Sequence, residues 1–245
     1  MTNSRQPAED GVLVRFWSLD HHRAEEVHWA ASVWSKLVFA VEGTLQAESS
    51  ERLWILPCSR ALWVAAGETH RMKSLGKAKV RTLYFAPGFE MSRERGPMDV
   101  SPLLRELILE TCRSGPLMAG EKCHEAIAEL LRQEIEQATS VQIGVPMPRT
   151  DWLHAWASAF LAYPLESPRF DYSRRTLERR ISEETGLSLG RWCQHARTVV
   201  GFRVLSSGQT VSEAAAEAGY ATPGSFIHAF RLCFGVTPGK FKTAA

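Results

Sequence analysis

Two stretches of the chain, 49 residues apart, follow one pattern: SRRTLERRISEETGLSLGRW at 173–192 and TPGSFIHAFRLCFGVTPGKF at 222–241. Each opens with a hydroxyl residue suited to capping a helix, Ser173 or Thr222. Apolar residues fall at the fourth and eighth places after it, Leu177 and Ile181 or Phe226 and Phe230, and so share one helical face. Glycine, which most easily takes the left-handed cap conformation, closes both at Gly186 and Gly235. Then come an apolar residue (Leu187, Val236), a hydroxyl (Ser188, Thr237), a glycine (Gly190, Gly239) and an aromatic (Trp192, Phe241). Agreement in cap, core face, stop and onward turn marks an internal duplication of one helical unit.

The second copy shows what the unit is. VSEAAAEAG is a small-residue helix with a capping box at Thr210 and Glu213, and it leads through Gly219 into the Phe226/Phe230 helix. That is a helix-turn-helix, whose second helix fits a DNA major groove. Leu189 to about Ser206 reads as one connecting helix, roughly 27 Å long at about 1.5 Å per residue. A rod of that length suits two recognition helices spaced near one DNA turn, about 34–36 Å. The first copy places Arg174, Arg175, Arg179 and Arg180 within one short helix, in a chain whose formal net charge is only +2. Charge is unevenly spread: residues from Thr150 onward carry +3 and the remainder −1. A mildly basic C-terminal part permits nucleic-acid binding.

A chain of 245 residues holds one large domain or two ordinary ones. With 44% hydrophobic and 23% charged residues it reads as globular. The start, MTNSRQPAED, lacks a basic segment followed by an apolar run, and no stretch approaches about 20 apolar residues. The expectation is therefore a cytoplasmic protein without a membrane partner. Five scattered cysteines, Cys58, Cys112, Cys123, Cys193 and Cys233, suit reduced thiols better than a disulfide or zinc framework.

Before residue 90 the chain reads as strands: VLVRF, KLVFAV, RLWIL, ALWVAA and VRTLYF are short, β-branched or aromatic, and separated by turns. Their spacing suggests an antiparallel barrel or sandwich. SRERGPMDV, 92–100, reads as the end of the strands. Ser101-Pro102 starts a helix with Leu103, Leu104, Leu107, Ile108 and Thr111 on one face, and Ile127, Leu130, Leu131 and Ile135 mark a second. Their apolar stripe packs either on the barrel or on a second subunit. TSVQIGVPMPRT, 139–150, reads as a linker. Pro164 and Pro168, in YPLESPRFDYS ahead of the first recognition helix, predict a short or distorted supporting helix there. In that case packing by Phe170 and Tyr172 holds the recognition helix, or DNA orders it.

From about residue 150 to 242 the chain resembles the DNA-binding domain of the AraC/XylS family of transcription regulators. SRRTLERRISEETGLS, RVLSSGQTV and VSEAAAEAGYATPGSFIHAFRLCFGVTPGKF carry that resemblance. VFAVEGTL, ALWVAAGETHRM and RTLYFAPG resemble the small cupin barrel that precedes this domain in many members. The implied fold is α+β in two domains: an N-terminal antiparallel β-barrel (cupin-like) with a helical hairpin, and a C-terminal all-α tandem helix-turn-helix. The implied boundaries are 11–138 (barrel about 11–90, helices about 101–138), the linker 139–150, and 151–245.

The family's pattern assigns DNA contact to Arg174, Arg175, Glu178, Arg179 and Ser182 in the first unit. Arg175 and Arg179 can grip guanine bidentately or hold phosphate, and Glu178 either accepts from cytosine or pairs with a neighbouring arginine. In the second unit it assigns Ser225, Ile227, His228 and Arg231, with Ile227 suited to a thymine methyl and Arg231 to phosphate. The second face is poor in donors, so most affinity is expected from the first. The cupin metal motif is degraded: His28 and His70 match, Ala30 replaces a ligand, and Lys36 or Ser35 lies near the glutamate place. No metal, cofactor or catalysis is expected. The barrel instead holds a small-molecule effector, with His28, Trp29, Trp34, Trp63, His70 and Arg81 as the contacts. The implied function is a sequence-specific regulator binding double-stranded promoter DNA, as a homodimer with RNA polymerase a further partner. Two alternatives stand beside it. One is a metal-dependent cupin enzyme fused to a DNA-binding module; the other is a regulator acting mainly through protein partners.

Overall fold

Short runs of β-branched and aromatic residues form the first half of the chain and amphipathic helices the second. The computed structural model describes residues 11–29, 31–49, 51–89, 91–141, 144–166, 172–235 and 237–239, with the side chains of residues 28 and 29 outside the description. The chain divides into two compact units: Met1–Leu45 with Leu56–Gln142, and Gln46–Ile55 with Ile143–Ala245.

In the first unit, β1 (Val12–His21), β3 (Ser35–Glu42), β6 (Arg60–Val64), β8 (Ala78–Phe85), β9 (Gly96–Asp99) and β10 (Leu117–Met118) make one antiparallel sheet in the order β10-β1-β8-β3-β6-β9. The register sets Phe16 and Leu37 opposite Leu83, and Trp63 opposite Leu37. Because side chains alternate across a strand, one face presents Phe39, Trp63, Leu83 and Phe85. The hairpin of α1 (Pro102–Ser114) and α2 (Lys122–Gln137) lies on that face, with Leu104, Leu107, Ile108, Leu131 and Ile135 in the same core. Its apolar stripe therefore packs on the sheet of its own chain, while Leu103 and Leu130 stay exposed. Ser101 caps α1, accepting from the Leu104 amide at 3.0 Å. In a second sheet, β2 (Glu26–Trp29) is an edge strand paired antiparallel with β7 (His70–Ser74).

Two expectations are corrected here. The sheet ends in open edges at β10 and β9, so these strands do not close into a barrel. And SRERGPMDV does not end the strands: Gly96–Asp99 pairs with β6 through Met98 opposite Ala61.

In the second unit, β11 (Gly144–Pro146) pairs with β5 (Arg52–Pro57), so the segment read as a linker contains a strand. The helices are α3 (Asp151–Ala162), α4 (Arg174–Thr185), α5 (Leu189–Ser206), α6 (Val211–Glu217) and α7 (Pro223–Phe234). Helix α5 is the shared support. Near its start, fully buried Trp192 lies 5.2 Å from the Trp156 ring and 5.8 Å from Phe160, both on α3. Near its end, Phe202 stacks on Phe230 at 5.4 Å and meets Phe234 at 4.7 Å, both on α7. The supporting helix ahead of α4 is neither short nor distorted. Helix α3 is regular and ends at Ala162, so Pro164 follows it instead of interrupting it. Pro168 and Phe170 lie outside the described residues.

Helix α6 approaches α5 closely through small residues: Ala214, Ala215 and Ala218 are buried, and a Cβ at Gly201 would lie 2.4 Å from the Phe226 ring. That ring is itself fully buried. Gly201→Ala is expected to destabilise the second unit by about 1–3 kcal/mol, the usual cost of overpacking a core. Thermal melting followed by circular dichroism checks it, and an unchanged midpoint would show that the ring yields freely.

Candidate nucleic-acid interface

The duplication seen in the sequence is geometric as well. Ser173 caps α4 by accepting from the Thr176 amide, and Thr222 caps α7 by accepting from Ser225, each at 3.2 Å. Gly186 and Gly235 end them in left-handed conformations with φ of 71° and 73°. Each helix buries one face, through Ile181 on α4 and Phe226, Phe230 and Phe234 on α7.

On the outward face of α4, Arg174, Arg175, Glu178, Arg179 and Ser182 are all exposed. Glu178 accepts from Arg174 at 2.9 Å, and Glu183 from Arg179 at 2.8 Å. Exposed pairs of this kind are worth little and are easily exchanged for a stronger anion. Among the described residues Arg175 makes no hydrogen bond or ion pair, and its guanidinium stands in solvent. The helix carries no acidic residue in its first turn and no basic one in its last. Arg174 and Arg175 thus sit at the positive end of the helix dipole, and Glu183 and Glu184 at the negative end, the reverse of what stabilises an isolated helix.

Glu184 explains how α4 is held despite this. Its Oε2 accepts from the amides of Arg149 at 2.9 Å and Thr150 at 3.0 Å, and its Oε1 from the Thr150 hydroxyl at 2.6 Å. Arg180 lies 3.1 Å from the same carboxylate and donates to the Thr150 hydroxyl at 2.9 Å. One carboxylate thereby satisfies the Arg149 and Thr150 amides just ahead of α3, whose N-cap Thr150 makes no side-chain cap bond of its own. Tyr172 adds a stack on Trp152 of α3 at 4.2 Å. Sequence reading did not find this clamp; its only signal was the helix start at Thr150-Asp151, and its partner lies 34 residues on.

On α7, Ser225, Ile227, His228 and Arg231 are exposed and share the side away from the aromatic core. The Ser225 hydroxyl is already engaged with the Thr222 carbonyl at 2.8 Å. Behind the helices, Arg203 of α5 donates to the Gln46 side chain at 2.9 Å and to the Leu161 carbonyl at the end of α3 at 3.0 Å. Burial, partly offset by Glu48, brings its pKa down to about 10, so it keeps its charge at neutral pH.

Of the six residues assigned to an effector, the first unit sets Trp63 and Arg81 on the helix-covered face of its sheet, while Trp29 lies opposite His70 in the β2–β7 pair. Trp63, buried, belongs to the core under α1 and α2, and Arg81 pairs with Asp20 at 2.9 Å beside Leu83. His70 is buried elsewhere, at the start of β7; burial first, then the Lys36 and Arg95 charges, bring its pKa down to about 4. Trp34 is buried under the Arg15 guanidinium at 4.7 Å. The side chains of His28 and Trp29 lie outside the described residues. A cavity of about 10 Å³ opens elsewhere, among Trp17, Leu19, His21, Met72, Val80 and Thr82. Among the described residues no group of three or more His, Cys, Asp or Glu side chains is placed to hold a metal ion.

Two like helices, each capped, backed by a buried face and mounted on one long helix, define a tandem helix-turn-helix DNA-binding protein. The description "Helix-turn-helix domain" matches residues 167–244. The HTH-type transcriptional regulator NimR of Escherichia coli (strain K12) is 27% identical over 214 residues, which cover 84% of this chain and 78% of NimR. The chain thus carries a helix-turn-helix domain over residues 167–244, with a sheet-rich region before it, and is similar over most of its length to a transcriptional regulator.

Among solved structures, ToxT from Vibrio cholerae bound to an unsaturated fatty acid aligns over 98% of this chain and 97% of its own at 12% identity and a TM-score of 0.39. The AraC-like activator CuxR aligns over 98% and 90% at 13% and 0.40. The DNA-binding domain of AdpA in complex with a target DNA covers 36% of this chain and 91% of that domain, at 28% and 0.30. At such TM-scores these likenesses fix neither arrangement nor ligand here. No helix among the described residues is long and apolar enough to cross a membrane.

The Glu184 carboxyl makes a testable link between α3 and α4. Burial raises its pKa, but the Thr150 hydroxyl, the two amides and the Arg180 charge together outweigh this and hold it below the ordinary glutamate value of 4.5. A depressed carboxyl stabilises the fold fully above its unfolded pKa and loses that contribution as the folded pKa is passed on acidification. Glu184→Gln is expected to melt lower than wild type near pH 7, and the gap should narrow as the pH falls below about 4.5. A gap independent of pH would show that the charge plays no part.

Proposed function

We propose that the chain binds promoter DNA through the outward faces of α4 and α7, with α4 supplying most of the affinity. The observation that carries this is the reversed charge of α4: Arg174 and Arg175 stand exposed at the positive end of the helix, Arg174 held only by an exposed pair with Glu178 and Arg175 unpaired among the described residues. A phosphate or a guanine edge placed there supplies the missing acceptor, and the anion also suits the helix dipole. Arg179 can exchange Glu183 for the same partners, and Arg231 on α7 suits phosphate.

We infer further that the first unit senses a small molecule, with 11–138 as its extent, 139–150 as the hinge and 151–245 as the DNA-binding part. The family resemblance supports this, together with a homodimer, a contact with RNA polymerase, a cytoplasmic setting and the lack of a catalytic role. The six residues first assigned to the effector remain part of that reading, although Trp63 and Arg81 lie on the helix-covered face of the sheet. The cavity beside Trp17 and Met72 supports a second entry point, enlarged by side-chain movement, since as it stands it holds about one water. An effector acts only through unequal affinity for two arrangements of the chain.

Selection from random duplex DNA, followed by titration at several salt concentrations, tests the DNA-binding reading. Wild type is expected to enrich one sequence and to show a steep salt slope. Arg175→Ala should cost about 1–3 kcal/mol of affinity where a base is read, or lower the salt slope by about 1 where a phosphate is held. Enrichment of no sequence, or an Arg175→Ala variant that binds as wild type does, would overturn the reading.

A further inference from the structure

The two recognition helices correspond at an offset of 49 residues, and the corresponding outward positions carry different chemistry. Arg175 corresponds to Gly224, Glu178 to Ile227, Arg179 to His228 and Ser182 to Arg231. Every acidic side chain of α4 is paired with an arginine of the same helix. On α7 the position of Glu178 is taken by an aliphatic side chain that cannot pair with anything.

Ile227 is 36% exposed, although the core beside it is already filled by Phe226, Ala229, Phe230 and Phe234. About a third of this aliphatic side chain therefore stays open to an apolar partner on the outer side of the helix. One turn earlier, Gly224 is exposed, and its φ is not left-handed. A Cβ built on it would meet only the Thr222 hydroxyl, at 3.9 Å. Packing and backbone therefore admit alanine, a far better helix former. Nothing among the described residues calls for glycine at this place. Its bare backbone leaves clearance beside Ile227 on the side that α7 turns to a groove.

The major groove displays hydrogen-bond donors, acceptors and one apolar group, the 5-methyl of thymine. An isoleucine set against donors or acceptors would bury them unpaired, which is unfavourable. Set against a methyl, it removes apolar surface from water on both partners. We propose that α7 recognises thymine through Ile227, so that the half-site beneath α7 is defined by thymine methyls and the half-site beneath α4 by polar edges and phosphates. This rests on the DNA-binding reading above.

The test uses the full chain and its selected operator, with every thymine of one half replaced by deoxyuridine, and then every thymine of the other. Deoxyuridine pairs as thymine does and lacks only the methyl. Wild type is expected to lose about fourfold in affinity per methyl read, from about 0.8 kcal/mol per buried carbon group at about 1.4 kcal/mol per tenfold. The loss should be confined to one half. Ile227→Ala should be insensitive to deoxyuridine in that half, and Ile227→Val should retain part of the sensitivity. Thermal melts of both variants, set beside wild type, separate a lost contact to DNA from a weakened fold. Methyl removal without effect in either half, or an undiminished effect in Ile227→Ala, would overturn the proposal. Failure to select any operator shows itself before a methyl is removed, and sinks the DNA-binding reading on which the proposal stands.

Discussion

The second unit depends on the burial of α5. Trp192 near its start and Phe202 near its end are fully buried, and each organises one of the two recognition helices' surroundings. Trp192 sits among Trp156 and Phe160, and its indole also donates to the Pro146 carbonyl at 2.7 Å, so strand β11 is fixed to the same helix. Phe202 sits among Phe230 and Phe234. One helix of 18 residues carries both clusters. The spacing of α4 and α7 is therefore set by one rigid rod and not by loops.

The two recognition helices solve the problem of their own stability in different ways, and their DNA-facing chemistry follows from that. Helix α7 has three buried phenylalanines and a proline at its first position. It can leave its outer face almost uncharged. Helix α4 has Ile181 as its one fully buried residue, and its charges oppose its dipole. It is held by the Glu184 clamp to α3 and by the Tyr172–Trp152 stack. Its outer face is consequently cationic, with pairs ready to be exchanged. In the proposed function, this difference divides affinity, supplied by α4, from discrimination, supplied by α7.

Much of this was legible in the sequence, because capping residues, glycine stops and the apolar face are local signals. Ser173, Thr210, Thr222, Gly186 and Gly235 act as their residue types predict. Strands rich in Val, Ile, Leu and aromatics were equally plain. What escaped was either weak locally or set by partners far along the chain. HRMKS and GPMD carry too few β-branched residues to announce β7 and β9, which exist because β2 and β6 supply partners. Pro164 argued against a helix, and correctly so for its own position. The error lay in placing the supporting helix over it instead of before Tyr163. The effector residues show the same limit. Odd and even positions of β8 face opposite sides, so Arg81 and Leu83 separate from Val80 and Thr82 once the register is known. Composition cannot supply that register.

Arg203 shows how the same rod ties in the rest of its unit. A guanidinium placed among neutral acceptors, the Gln46 amide and the Leu161 carbonyl, keeps its charge but has no partner carboxylate in direct contact among the described residues. Such a group is expensive to bury, and it is retained where its geometry specifies an arrangement more than it adds stability. Its fork can satisfy the end of α3 and the Gln46 side chain together only in one relative position of helix and strand residue. Lysine, with a point charge and no fork, cannot hold both in that way. The 46–55 segment thus moves with the DNA-binding helices by virtue of side-chain geometry, and β11 pairing with β5 fixes the same segment through its backbone. Both constraints converge on α5, one through Arg203 and the other through Trp192, which makes that helix the reference frame for every DNA-facing side chain in the unit.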